Sequence, residues 1–200
     1  MPAPAQTVLD SGRPGPRVLV VGGIHGDEPS GALAAAALAG GAAPARGRLT
    51  VLPQANPEAL AAGQRSAPRP GARDLNRAFP GSGDGADARR AAEVFALARD
   101  ADLVLDLHEE GGAWAEADLA TLVVAPAASA FAMELLEQLE RAGAPFAFTG
   151  GAPAGSLVGE LGRLGRRALV VEVPARLPRA ERVRLHLLVA ERALGLLGMR

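Results

Sequence analysis

Short apolar runs alternate along this chain with stretches of helical spacing, and that alternation constrains the fold more than any single motif does. Arg17–Gly22 (RVLVVG) is a branched apolar run that stops on glycine, the profile of a strand buried on both faces of a parallel sheet. Arg48–Pro53, Ala101–His108, residues 121–125, Pro145–Thr149 and Arg167–Val173 read as further strands. An Ala-rich segment running to about Leu38, with Pro29 in its first turn, reads as a helix. So do Ala86–Asp100, Ala127–Ala142, Gly155–Leu164 and, after the last strand, about Arg179–Leu197. Strands alternating with helices predict an α/β fold, a three-layer α/β/α domain around a mostly parallel (mixed) central sheet. No repeat or boundary interrupts the pattern, so residues 1–200 are expected to form a single domain.

Composition narrows the function. With 48% apolar residues the chain can bury a core of ordinary size. Its 21 basic residues, every one an Arg, face 22 acidic ones, and a formal charge of −1 gives no field that would draw nucleic acid. Aromatic residues are 3% of the chain and include no Tyr, too few for base stacking or a cation cage. The absence of cysteine excludes disulfides, thiolate metal sites and Cys nucleophiles. The opening MPAPAQTVLDSG lacks the basic start and apolar stretch of a secretory signal, and the Ala/Gly run from Gly31 to Ala45 is too short and weak to span a bilayer. The chain reads as soluble and cytoplasmic, with no nucleic-acid or membrane partner; its oligomeric state is not readable.

The candidate chemistry starts from the histidines, of which there are 3. His25 follows the first strand in GGIHGDEPSG, with Glu28 three residues on, and His108 closes the strand DLVLDLH. Both lie at C-terminal ends of expected strands, where open α/β sheets place their ligand sites. A turn running into a helix lets His25 and Glu28 converge from one side, and a neighbouring strand can bring His108. Two His and one Glu are a ligand set of catalytic zinc, which leaves one coordination position for water. A lone His-x-x-Glu also arises by chance, so the case rests on two further signals.

The first is DLNRAFPG, Asp74 to Gly81, inside a long polar stretch from Ala55 to Gly85 that reads as a functional or disordered loop. Asn76 and Arg77 are adjacent there, preceded by Arg65, Arg69 and Arg73. An Arg fork grips a carboxylate through two hydrogen bonds, and an Asn amide adds another; the plain alternative is a solvated Arg-rich loop. The second signal is Glu172 in LVVEVP, a carboxylate inside an apolar strand, costly unless paired. It is either an edge-strand Glu facing water or, beside a metal, a candidate general base. Asp106 shares the strand face of His108 and would either orient its ring or cap nearby backbone. Glu109 and Glu110 are expected to face solvent, and His186 to be a partly exposed residue of the last helix.

GGIHGDEPSG, NPEALAAGQR, RDLNRAFPG, DLHEE and VVEVP, in this order from Val18 to Pro174, resemble the zinc carboxypeptidase superfamily, in its succinylglutamate desuccinylase/aspartoacylase branch. The resemblance implies one zinc ion per chain bound by His25, Glu28 and His108, with Glu172 as the catalytic carboxylate. It implies that Asn76 and Arg77 hold a substrate carboxylate and that an upstream Arg polarises the scissile carbonyl, Arg65 by its place after AAGQ, or else Arg69. Two departures bear on the substrate: there is no Tyr to lie over the substrate terminus, and only Ala175 to Arg200 follows VVEVP. The family's extra C-terminal domain is therefore expected to be lacking, and the pocket to be more open or closed by a second subunit.

The expected function is a zinc-dependent hydrolase of an amide bond next to a free carboxylate, resembling N-acyl amino acid deacylases, on a small-molecule or short-peptide substrate. Two alternatives stand beside it: a metallocarboxypeptidase on short or cell-wall peptides, and a metal- or small-molecule-binding domain without catalysis. A serine hydrolase is disfavoured because G-x-S-x-G is absent. A phosphate-binding loop is disfavoured because GGIHGDEPSG lacks the Gly-Lys-Ser/Thr ending.

Overall fold

The apolar runs pair side by side. The computed structural model describes residues 5–110, 119–144 and 146–200. Among these, β1 (Thr7–Asp10), β2 (Arg17–Gly22), β3 (Arg48–Leu52), β4 (Leu103–Glu110), β5 (Ala120–Val124), β6 (Phe146–Thr149) and β7 (Ala168–Pro174) form one sheet in the order β1-β3-β2-β4-β7-β5-β6. The pairs β3–β2, β2–β4, β4–β7 and β5–β6 are parallel, while β1–β3 and β7–β5 are antiparallel. Pro145, expected to begin the sixth strand, and Trp114 lie outside the described residues.

Among the described residues, helices α1 (Pro29–Ala39), α3 (Ala86–Ala98), α4 (Ser129–Arg141), α5 (Leu157–Arg163) and α6 (Arg179–Leu196) pack on the two faces, and the short α2 (Pro57–Ala62) follows β3. Leu103, Leu105 and Leu107 of β4 pack with Leu169, Val171 and Val173 of β7 against α1, α4 and α6. Val104 and Val170, on the opposite pleat, pack with Val94 of α3 and Leu157 and Leu161 of α5. Strand alternation therefore sends His108 and Glu172 to the α3–α5 side and Glu109 to the α1–α6 side. The small residues of α1 let it lie close to the sheet: a Cβ on Gly31 would stand 2.4 Å from the Leu107 carbonyl oxygen.

Two features depart from the sequence reading. The stretch from Ala55 to Gly85 is not all loop, because it contains α2 and a 3-10 turn at Leu75–Arg77. Asn56 caps α2 through its side-chain oxygen, 3.3 Å from the Ala59 nitrogen, and Pro57 sets its first turn. Strand β1 was not expected; it edges the sheet by pairing with β3. Among the described residues, no helix is long and apolar enough to cross a membrane.

Candidate metal centre

Three neighbouring parallel strands carry the site. His25 stands in the turn after β2, His108 near the end of β4 and Glu172 near the end of β7, in register with His108. The turn is tied to the segment after β3: Ala55 and Asn56 donate backbone hydrogen bonds to the Gly22 and Gly23 carbonyls, at 3.0 and 2.9 Å. Glu28, at the start of α1, points its carboxylate between the two imidazoles, with Oε1 2.7 Å from His25 Nδ1 and Oε2 2.8 Å from His108 Nδ1. One ligand atom from each of His25, Glu28 and His108 falls within 4.8 Å of the others.

Behind each imidazole stands a second carboxylate. His25 Nε2 lies 2.9 Å from Asp74 Oδ1, and His108 Nε2 lies 3.1 Å from Asp106 Oδ2. Such partners fix ring orientation in metal-binding histidines. Burial alone would lower the pKa of both rings, but Asp74 and Glu28 raise that of His25, and Asp106 and Glu28 raise that of His108 well above its ordinary value. Burial favours the neutral acid of Glu28, yet the two imidazoles outweigh it and hold the carboxyl well below the usual range. The cluster thus concentrates anionic oxygen around two imidazoles. Two nitrogen donors and one carboxylate, with ring-orienting carboxylates behind, suit a zinc ion.

Glu172 is pushed up to about 7, first by burial and then by the nearby Glu28 and Glu110 carboxylates, with His108 opposing. It lines a cavity of about 460 Å³ together with His25, Glu28, His108, Arg65, Asn76 and Arg77. A larger hollow of about 760 Å³ lies between α1 and α6 and holds none of the candidate residues. Chemistry, not volume, singles out the smaller one.

Arg65 bridges Glu28 and Asp74, with Nη1 3.1 Å from Glu28 Oε1 and Nε 3.1 Å from Asp74 Oδ2, and its side chain is 48% exposed. Asn76 is buried; its Oδ1 accepts from the Leu157 nitrogen at 3.0 Å and its Nδ2 lies 3.5 Å from His108 Nε2. Arg77 donates through Nη1 to the Asn76 carbonyl at 2.7 Å. The structure does not bring Arg69 to this cavity. It is held by Glu58 and Asp87 and lines a separate hollow of about 530 Å³.

Three placements differ from the sequence reading or were missed by it. Asp74 was not singled out as a partner of His25. Glu109, expected at solvent, is buried on the α1–α6 side, because it follows His108 and must take the opposite pleat. His186, expected to be partly exposed, is fully buried, and neither ring nitrogen has a hydrogen-bond partner among the described residues; burial pushes it down to about 3. It lies three and four residues before the buried Val189 and Ala190, which puts it on the face of α6 that packs against the sheet.

The sequence model of the succinylglutamate desuccinylase/aspartoacylase catalytic domain matches residues 14–190. N-alpha-acetyl-L-2,4-diaminobutyric acid deacetylase of Halomonas elongata is 37% identical over 152 residues, covering 70% of this chain and 42% of that protein. A succinylglutamate desuccinylase/aspartoacylase of Rhodobacter sphaeroides superposes with a TM-score of 0.74 at 27% identity, over 93% of this chain and 56% of the other. The product-bound cell shape determinant protein Csd4 of Helicobacter pylori reaches 0.83 at 21% identity, over 98% and 55%, which speaks for the fold alone. The chain spans about half the length of these proteins.

Proposed function

The chain belongs to the succinylglutamate desuccinylase/aspartoacylase family, and from that premise we propose that it is a zinc-dependent hydrolase cleaving an amide bond next to a free carboxylate. Hydrolysis of the acyl-amino acid type is the family's chemistry. The observation that carries it is the convergence of His25, Glu28 and His108 within 4.8 Å, in the same cavity as Glu172. The relative at 37% identity is a deacetylase, which favours an N-acyl amino acid over a peptide. Residues 1–200 would form one catalytic domain, with His25, Glu28, His108 and Glu172 gathered in one cavity at the strand ends of a single sheet.

His25 and His108, through Nδ1, and Glu28 would hold the zinc ion, with Asp74 and Asp106 orienting the rings. Zinc supplies Lewis acidity, which acidifies water and polarises a carbonyl. Glu172 takes the proton of the attacking water and passes it to the leaving amine, a double duty open to a buried carboxyl that lines the same cavity as the ligands. Asn76 Nδ2 and the Arg77 guanidinium bind the substrate carboxylate and so fix the amide beside Glu172. Arg65, already next to Glu28, stabilises charge that develops on the carbonyl oxygen.

The test combines elemental analysis with a panel of N-acyl amino acids and short peptides, with and without chelator. Near-stoichiometric zinc, chelator-sensitive turnover and preference for N-acyl amino acids are expected. Glu172→Gln should keep zinc and lose roughly 10²–10⁴-fold in kcat. Absence of zinc that cannot be restored, or a fully active Glu172→Gln enzyme, refutes the reading.

A further inference from the structure

Glu28 occupies the position from which a side chain normally turns back to cap the first N–H groups of a helix. Here it makes no such bond, because its carboxylate is turned to His25 and His108. The N–H left over at Ser30 is met from another strand: it donates to Glu109 Oε1 at 2.6 Å. The other Glu109 oxygen is paired with Arg182 of α6, and the Glu109 side chain is 2% exposed. The backbone N–H of Glu109 in turn donates to Glu28 Oε2 at 3.0 Å. One residue therefore grips both ends of the problem. Its main chain holds the Glu28 carboxylate, and its side chain holds the helix end from which Glu28 hangs.

We propose that Glu109, backed by Arg182, is a positioning residue for the metal centre: it caps α1 in place of Glu28 and so leaves the Glu28 carboxylate available as a ligand. The inference rests on the metal-site reading above. Without an acceptor at position 109, the Glu28 carboxylate becomes the nearest cap for its own helix, and capping competes with metal binding.

Two double variants separate this role from charge and from fold. Arg182→Met with Glu109→Gln removes the ion pair but keeps an acceptor for Ser30, while Arg182→Met with Glu109→Leu removes both. Neither leaves a buried charge unpaired. Zinc affinity is read by competition with a chromophoric chelator, and ligand geometry by the visible bands of bound cobalt(II). The Gln pair is expected within about threefold of the unaltered protein, with its cobalt spectrum retained; the Leu pair should bind zinc roughly 10–100-fold more weakly, with altered bands. Should the Leu pair not fold, Glu109→Asn in the same Arg182→Met background, too short to reach Ser30, carries the same expectation. Equal affinities and spectra across the acceptor-keeping and acceptor-removing variants overturn the proposal, as does an equal loss in both. An unaltered protein that binds no zinc overturns the metal reading and this inference together; one that binds zinc while the variants match it overturns this inference alone.

Discussion

Burial raises the Glu172 carboxyl to about 7 from its ordinary 4.5, so between those values the folded chain holds a proton that the unfolded chain has released. The sign follows from linkage: this group's contribution to stability is complete below pH 4.5 and is lost as pH rises through about 7. Its size is about 3 kcal/mol at most. In metal-free protein, urea unfolding at pH 5 and pH 8 should therefore show the native chain losing up to about 3 kcal/mol more than Glu172→Gln over that interval. Parallel losses in the two proteins would show that Glu172 is not buried as described. His25, Glu28, His108 and Glu172 were legible in the sequence because strand ends and a carboxylate in an apolar run are local signals. Asp74 was not, since its partner His25 lies 49 residues away. Glu109 and Glu110 carry the same chemistry, and only the pleat, together with an Arg 73 residues further on, decides which of them is buried.

The turn between β2 and α1 is the element on which the ligand set depends, and its glycines are fitted to what surrounds it. Gly26 sits between His25 and Glu28 and donates to the Gln64 carbonyl at 3.0 Å. A Cβ there would lie 1.9 Å from the Ala59 carbonyl oxygen of α2. No rotamer relieves a clash with backbone, so Gly26→Ala must push the turn away from α2. A destabilisation of about 1–3 kcal/mol is expected, along with at least a tenfold loss of zinc affinity, read by urea unfolding and zinc titration. Unchanged stability and affinity would mean that α2 does not buttress the turn. This contact also explains why the Ala55–Gly85 stretch was hard to read. Its Asn-Pro-Glu start is a helix signal, but α2 is only Pro57–Ala62, and most of the stretch is shaped by what it touches rather than by periodicity. β1, four residues at the sheet edge, has too short an alternation to stand out from a turn.

At the scale of the whole molecule, the parallel run β2-β4-β7 opens three strand ends on one edge of the sheet, so residues distant in sequence meet without a dedicated loop to bring them together. The same arrangement couples metal binding to folding. His25 and Glu28 lie just before α1, and His108, 80 residues beyond Glu28, lies in the central strand, so only the folded chain brings all three ligands together. A ligand that binds only the folded state stabilises it by about 2.7 kcal/mol at a hundredfold excess over Kd. For a domain of this length that corresponds to a Tm shift of roughly 5–10 °C. Chelator treatment should lower Tm by about that amount and zinc should restore it, while His108→Ala should have a Tm that zinc does not move. Calorimetry across a zinc titration decides the matter. If zinc shifts the Tm of His108→Ala as much as that of the native chain, the ion binds elsewhere on the surface, and the convergence of strand ends is structural rather than a metal site.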